Sequence, residues 1–289
     1  MVNPAETPAE SATAPAVAAP VAPPEPLPVP GPSFVYALGQ IDARFPSMSI
    51  EKEFAQVVAG TDFGGLTDRE TLKGTIANPE NRYLARSLCW VFEIEGLETY
   101  ILVPRDPRDL DLFVDAYRAE PRRDDLDVVI GVRSGLAPPE MCNGLALPVV
   151  VVDQLYSFDR DVLVDAIPKP DSVPAKDEAK FRKAAGALFD QLTQLADNAG
   201  SIDEHRALNY LTVRYPRIYA VTTEQYNRNF AFTGVQVAPS PLSGVRTVVD
   251  VVFSYTHRET DVIEKQFVRV DVTEQFPFLV TKMSPFYDR

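Results

Sequence analysis

Apolar positions along the chain recur with two periods, one near 3.6 residues and one of two, and turn-forming residues separate the segments. Phe34 to Ile41 reads as a strand. Ser49 to Ala59 reads as a helix, because Ile50, Phe54, Val57 and Val58 return at helical spacing. Thr67-Asp68-Arg69-Glu70 is a capping-box pattern opening a second short helix, and these helices are expected to cover one face of a first sheet. Cys89 to Ile94 and Leu97 to Val103 flank Glu95-Gly96 and predict a hairpin. Asp106-Pro107 supplies a cap and a first-turn proline for a helix that places Leu110, Phe113, Val114 and Tyr117 on one face. Leu126 to Val132 and Pro148 to Val152 are short β-branched runs that predict buried strands.

The second half begins with an amphipathic helix over residues 175 to 199, with Phe181, Ala185, Leu188, Leu192 and Leu195 on its stripe and Gly200 placed to stop it. Another helix runs from Ile202 to Tyr215, is broken by Pro216 and resumes to Asn229. From there the period is two: Gly234 to Val237, Thr247 to Tyr255, Val262 to Val272 and Phe278 to Met283. Short connections between consecutive strands imply an antiparallel meander, so the fold class is α+β, antiparallel sheet with helices packed on one side. Residues 33–289 form the folded part, as one large core or as two subdomains near 33–170 and 171–289.

Residues 1–32 differ from all this, with ten prolines, eight alanines and few large apolar side chains. Such a segment cannot offset its ordering entropy, and a disordered, linker-like tail is expected. The formal charge is −13 and no long Lys/Arg cluster occurs, which disfavours nucleic acid and anionic membrane surfaces as partners. The longest apolar run, Pro148 to Val152, is far short of a membrane span. No Lys or Arg precedes Arg44, so a secretory signal is not expected. The two cysteines, Cys89 and Cys142, stand in apolar settings and read as reduced, buried thiols, which fits a cytoplasmic location.

Chemistry-bearing motifs are scarce. Neither a Walker-type nor a dinucleotide-binding glycine pattern occurs, and Gly60-Thr61-Asp62-Phe63-Gly64-Gly65 reads as a loop between helices. The two histidines, His205 and His257, stand far from each other and from the cysteines, a spacing that gives a metal site no support. No cofactor is implied. A dyad of Cys142 with either His205 or His257 is the one nucleophilic arrangement that the residue inventory leaves open, and the alternative is a cryptic enzyme using Cys142 or His205.

Phe34-Val35-Tyr36-Ala37-Leu38-Gly39-Gln40-Ile41, Arg44-Phe45-Pro46-Ser47 and Glu51-Lys52-Glu53-Phe54-Ala55 resemble the start of the C-terminal domain of PatG-type cyanobactin macrocyclases. Asn81 to Leu84, Gly96 to Leu102, Pro138 to Gly144, Asp203 to Tyr210 and Phe276 to Thr281 extend the resemblance along nearly the whole chain after the tail. In such macrocyclases a separate subtilisin-like domain carries the chemistry, and its Asp, His and Ser motifs are absent here. The resemblance therefore implies a non-catalytic accessory module of ribosomally synthesised, post-translationally modified peptide biosynthesis, with a precursor peptide or a peptide-maturation enzyme as partner.

Two polar segments stand out as binding candidates. Pro138-Pro139-Glu140-Met141-Cys142-Asn143-Gly144 combines restricted prolines with an Asn-Gly pair suited to positive φ, so it is expected to hold one shape. His205 and Asn209 are four residues apart and share a helix face. Glu140, Asn143, His205 and Asn209 are accordingly expected to line one polar pocket or buried hydrogen-bond network rather than an active site.

Overall fold

Glu95 and Gly96 both take positive φ, 51° and 77°, the conformation of a two-residue hairpin turn whose twist matches its strands. They join β2 (Cys89–Ile94) to β3 (Leu97–Pro104) in a computed structural model that describes residues 33–60, 65–122, 125–169, 173–194 and 197–287. The Pro/Ala tail, residues 61–64 of the glycine-containing loop and Leu195 of the helical stripe lie outside the described residues. β1 (Ser33–Arg44) pairs antiparallel with β2 through residues 40–44 and with β4 (Asp125–Leu136) through residues 33–39. β4 pairs antiparallel with β5 (Pro148–Asp159), and β5 runs parallel to β3. The first sheet thus closes as a barrel in the order β1-β2-β3-β5-β4. With its parallel β3–β5 seam, this is the topology of the five-stranded oligonucleotide- and oligosaccharide-binding barrel.

The barrel explains why β1 and β4 read as nearly continuous apolar runs. Val35, Ala37 and Val129 point inward and join Trp90, Phe92, Leu102, Val150 and Val152 in the barrel core. Their neighbours Tyr36, Leu38, Val128 and Ile130 point outward, yet form a second buried cluster with Tyr210 and Val213. Both faces are dry, so the two-residue alternation is erased. Between β1 and β2 the chain inserts α1 (Met48–Ala59), α2 (Asp68–Ala77) and α3 (Arg82–Ser87). The capping box at α2 forms in both directions: Glu70 N–H donates to Thr67 Oγ1 at 3.2 Å, and Thr67 N–H to Glu70 Oε2 at 2.7 Å. Leu72, Ile76 and Ala85 of these helices, with Phe113 and Val114 of α4 (Leu110–Ala116), pack into the barrel core.

The remaining chain forms the helical layer and the expected meander. α5 (Arg160–Ala166) precedes α6 (Glu178–Thr193), which buries Phe181, Ala185, Leu188 and Leu192 along one stripe. α6 is shorter than its apolar pattern suggested, entered by a 3₁₀ turn at Ala175–Asp177 and capped by Gln194. α7 (Asp203–Arg214) and α8 (Arg217–Asn227) flank Pro216. β6 (Phe230–Pro239), β7 (Val248–His257) and β8 (Ile263–Asp271) follow in antiparallel register, and β9 (Phe278–Leu279) and β10 (Ser284–Phe286) both pair with β8. Alternate residues Val249, Val251, Phe253 and Tyr255 of β7 are buried against the α6 stripe and against Leu211 and Ile218.

β1 also holds barrel and helical layer together. Over residues 33–39 no strand among the described residues covers the edge facing away from β4. An unpaired edge inside a protein leaves costly backbone groups, and the lead-in to α7 supplies their partners. Tyr36 N–H donates to the Gly200 carbonyl at 2.9 Å, and the Tyr36 carbonyl accepts from Asn209 Nδ2 at 2.8 Å. Only glycine suits position 200: its φ is +70°, and a Cβ there would lie 2.4 Å from the Tyr36 oxygen.

Candidate functional site

In a barrel of this topology the ligand side is the outer face of β2 and β3, framed by the β1–β2 and β4–β5 connections. Here the β4–β5 connection, residues 137–147, lies across that face. Ala137, Met141, Cys142, Leu145 and Leu147 pack on Cys89 and Val91 of β2, Ile101 of β3 and Val149 of β5. The loop has the single, turned shape that its sequence predicts. Pro139–Met141 make a 3₁₀ turn, and Asn143 and Gly144 take φ of 48° and 87°. Met141 N–H donates to Pro138 O at 2.9 Å, Gly144 N–H to Pro139 O at 2.7 Å, and Leu145 N–H to Cys142 O at 2.9 Å. At its neck, Ala137 N–H donates to Leu147 O at 2.8 Å.

Cys142 is bonded to Cys89 as a disulfide, with the two Cα atoms 5.5 Å apart. This corrects the expectation of two reduced thiols: both side chains are buried, as expected, but they staple the loop to β2. It also removes the Cys142–His205 dyad, since the nucleophile in such chemistry is a free thiolate. Fully buried Val91 and Ile101 beneath the loop contribute about 1.5–3 kcal/mol each.

Two crevices flank the stapled loop. The first, about 400 Å³, is mainly apolar and is lined by Leu88, Trp90, Ile101, Pro104, Pro107, Leu110 and Met141, with Arg86 and Cys89 also on its wall. The second, about 620 Å³, lies where β1 runs into α1 and is lined by Arg44, Phe45, Glu51, Cys142, Asn143 and Leu145. A third cavity, of about 560 Å³, opens between α5 and α6, but its arginines and carboxylates are already engaged with one another or with backbone carbonyls. Arg160 Nη2 meets Asp190 Oδ2 at 2.6 Å, and Arg182 Nη1 donates to the Val164 and Ile167 carbonyls that end α5, at 2.8 and 2.7 Å.

The four candidate binding residues are distributed along β1 rather than gathered. Asn143 lines the second crevice beside Arg44, and Glu140 is exposed on the same loop. Asn209 is buried at the other end of the strand, beside Tyr36. Eight residues of extended chain separate Tyr36 from Arg44, about 26 Å of strand, so no single pocket holds all four. Asn209 and Asn198 form a buried amide pair: Asn198 Nδ2 donates to Asn209 Oδ1 at 2.6 Å, and Asn209 Nδ2 to Asn198 Oδ1 at 3.1 Å. His205 is half-buried on α7; burial pushes its imidazole below the usual range, against the opposing pull of Glu204 and Asp197, and its buried Nδ1 has no hydrogen-bond partner. Next to it Arg206 is buried, donating to the Val272 carbonyl at 2.8 Å and to the Glu274 carbonyl, beneath the Phe34 ring. That anchoring role carried no motif of its own.

Among the described residues, no group of three or more His, Cys, Asp or Glu is placed to hold a metal ion, and no helix is long and apolar enough to cross a membrane. Residues 175–286, which run through α6 to β10, match the model of a family described as PatG C-terminal. The fold is similar to a solved structure described as "PatG Domain of Unknown Function", with a TM-score of 0.70 at 21% sequence identity, covering 88% of this chain and 98% of that one. No protein of curated function matches the chain.

Proposed function

We propose, for a chain that carries the PatG C-terminal domain over residues 175–286, that it is a non-catalytic binding module of ribosomal-peptide maturation. It holds an extended segment of a precursor peptide, or of a maturation enzyme, in the crevice beside the β4–β5 loop. The observation that carries this reading is that apolar crevice, formed where the start of β2, the end of β3 and the start of α4 meet the loop, with Leu88, Ile101, Pro104, Pro107 and Met141 on its walls. Apolar walls with a few polar groups at the margin, Arg86 among them, suit short peptide side chains. A net charge of −13 disfavours the polyphosphate ligands that other barrels of this topology take. The peptide-maturation setting comes from the family likeness, and the occupant from the crevice chemistry.

Trp90 is the only tryptophan in the chain and, although packed in the barrel core, it borders this crevice, so its fluorescence is a local reporter of occupancy. Titration of the full chain with a precursor peptide should give a saturable Trp90 signal that a scrambled peptide does not reproduce. Met141→Asp and Arg86→Glu should each weaken binding by about tenfold or more, the loss of about 1.4 kcal/mol of contact energy. A flat titration with the precursor peptide, or an affinity indifferent to both substitutions, overturns the reading.

A further inference from the structure

We infer that residues 137–147 are a redox-released strap, closed over the outer face of β2 and β3 by the Cys89–Cys142 disulfide and opened when a dithiol reduces it. Three observations carry this. The backbone hydrogen bonds described within the strap all join strap residues to one another, and none of them reaches β2 or β3. Its attachment to the face therefore consists of one covalent bond and an apolar contact through Met141, Cys142, Leu145 and Leu147. The surface under it, Val91 and Ile101, is completely dry at 0% and 1% exposure, although in this topology it is the face that meets ligands.

Both halves of the disulfide are buried, Cys89 at 4% and Cys142 at 3% exposure. Cys89 stands on the wall of the apolar crevice and Cys142 on that of the polar one, so a small dithiol meets the bond from a crevice edge once the strap shifts locally. In the reaction a thiolate of the dithiol attacks one cystine sulfur, giving a mixed disulfide and one cysteine thiolate. The second thiol of the reductant then displaces the other cysteine. One S–S bond breaks in the protein and one forms in the reductant, which gives up two electrons and two protons to the two cysteine thiols.

The strap also indicates what the uncovered face accepts. It already carries a turned segment whose Met, Leu and Ala side chains lie on Val91 and Ile101, and an extended peptide with small or medium apolar side chains would replace like with like. The use of the strap as a gate for such a peptide rests on the binding reading above; the redox opening does not.

The test uses the full wild-type chain under native conditions, oxidised or treated with dithiothreitol, followed by thiol alkylation and amide hydrogen exchange. Two alkylatable thiols should appear per chain on reduction. Amides of the strap, Met141 and Cys142 to Leu145, should then exchange at least about tenfold faster, while those of β7 keep their protection. Reoxidation should restore the slow rate. Cys89→Ser/Cys142→Ser should reproduce the reduced pattern without reductant, and the reduced wild type gives the same reading should that variant fail to fold. Two thiols with unchanged strap exchange would overturn the inference, as would loss of protection throughout the barrel or a disulfide that yields only in denaturant. Trp90 titration with a precursor peptide in both redox forms separates the two ideas. A strap that opens without any peptide signal in either form leaves the redox device standing and removes the peptide-binding reading.

Discussion

Replacing Asn209 by alanine tests whether a side chain with every appearance of a binding group is in fact what joins the barrel to the helical layer. The substitution removes three hydrogen bonds, to the Tyr36 carbonyl and to both polar atoms of Asn198. What remains is an Asn198 amide, only 8% exposed, with neither polar atom paired to Asn209, and a Tyr36 carbonyl on an edge that no strand covers. Each buried polar group left unsatisfied costs about 1–3 kcal/mol, so Asn209→Ala should lose about 3–5 kcal/mol. For a domain of this size that is a fall of roughly 6–20 °C in Tm. Urea unfolding followed by Trp90 fluorescence measures it, with an unchanged m-value as the check that the folded state has kept its extent. The decisive comparison is the cycle with Asn198→Ala. Either single change strands its partner's amide, whereas the double change leaves only the Tyr36 carbonyl. The double variant should therefore cost less than the sum of the singles by at least about 1 kcal/mol. Strictly additive losses, or single losses below about 0.5 kcal/mol, would refute the claim that this pair ties β1 to α7.

Leu192 is 1% exposed in the core that α6 shares with β7, and Leu192→Asp should cost on the order of 3 kcal/mol or more by burying a charge; a variant as stable as the parent in urea would mean that the helix is not docked through this stripe. Asp153 is held below the usual carboxylate range by hydrogen bonds from Arg105 and, against burial, from Gln275 at 2.6 Å. Since its folded pKa is depressed, its stabilisation is present above the unfolded value near 3.9 and is lost as pH falls through the lower folded value. Asp153→Asn should accordingly lower neutral-pH stability by about 1 kcal/mol and flatten the acid limb of the stability–pH curve; an unchanged acid limb would show that Asp153 contributes nothing to it.

Local and periodic features were legible in the residues, and long-range ones were not. The Glu95-Gly96 turn, the Thr67–Glu70 capping box, the α6 stripe and the two-residue alternation of β7 are each decided by neighbours within a few positions, and each has the form its pattern predicts. Barrel closure depends on β3 finding β5 across an intervening strand and helix, and nothing in either run marks the other as its partner. The disulfide is the same problem in a sharper form. Fifty-three positions separate Cys89 from Cys142, and two apolar-flanked cysteines look alike whether or not register brings them together. α5, Arg160–Ala166, carries little helical signal because it is one short stretch with a single buried residue, Val164, whereas α4 of the same length follows an Asp-Pro start and buries Leu110, Phe113, Val114 and Ala116. For the site, the shared face of His205 and Asn209 follows from helical spacing, but which segment meets that face is a tertiary fact. It is β1 at Tyr36 for Asn209, and the turned loop lies some eight residues along the same strand.

The family-model match and the candidate site occupy different parts of the molecule. Sequence matching spans residues 175–286, the helical layer and meander, whereas the strap and both flanking crevices are built from residues 43–147. Structural likeness extends over 88% of the chain at 21% identity, so it takes in most of the barrel as well as the helical layer. A barrel core asks only for apolar side chains of suitable volume at the inward positions, which leaves the outward positions of β2, β3 and the strap to follow whatever they meet. The layer contributes the support through Gly200, Arg206 and Asn209, which hold the start of β1, and β1 in turn carries Arg44 and Phe45 to the wall of the second crevice. Specificity differences between this chain and others of its fold should therefore be sought in the strap and crevice walls, since function resides in the site grafted on a fold rather than in the fold itself.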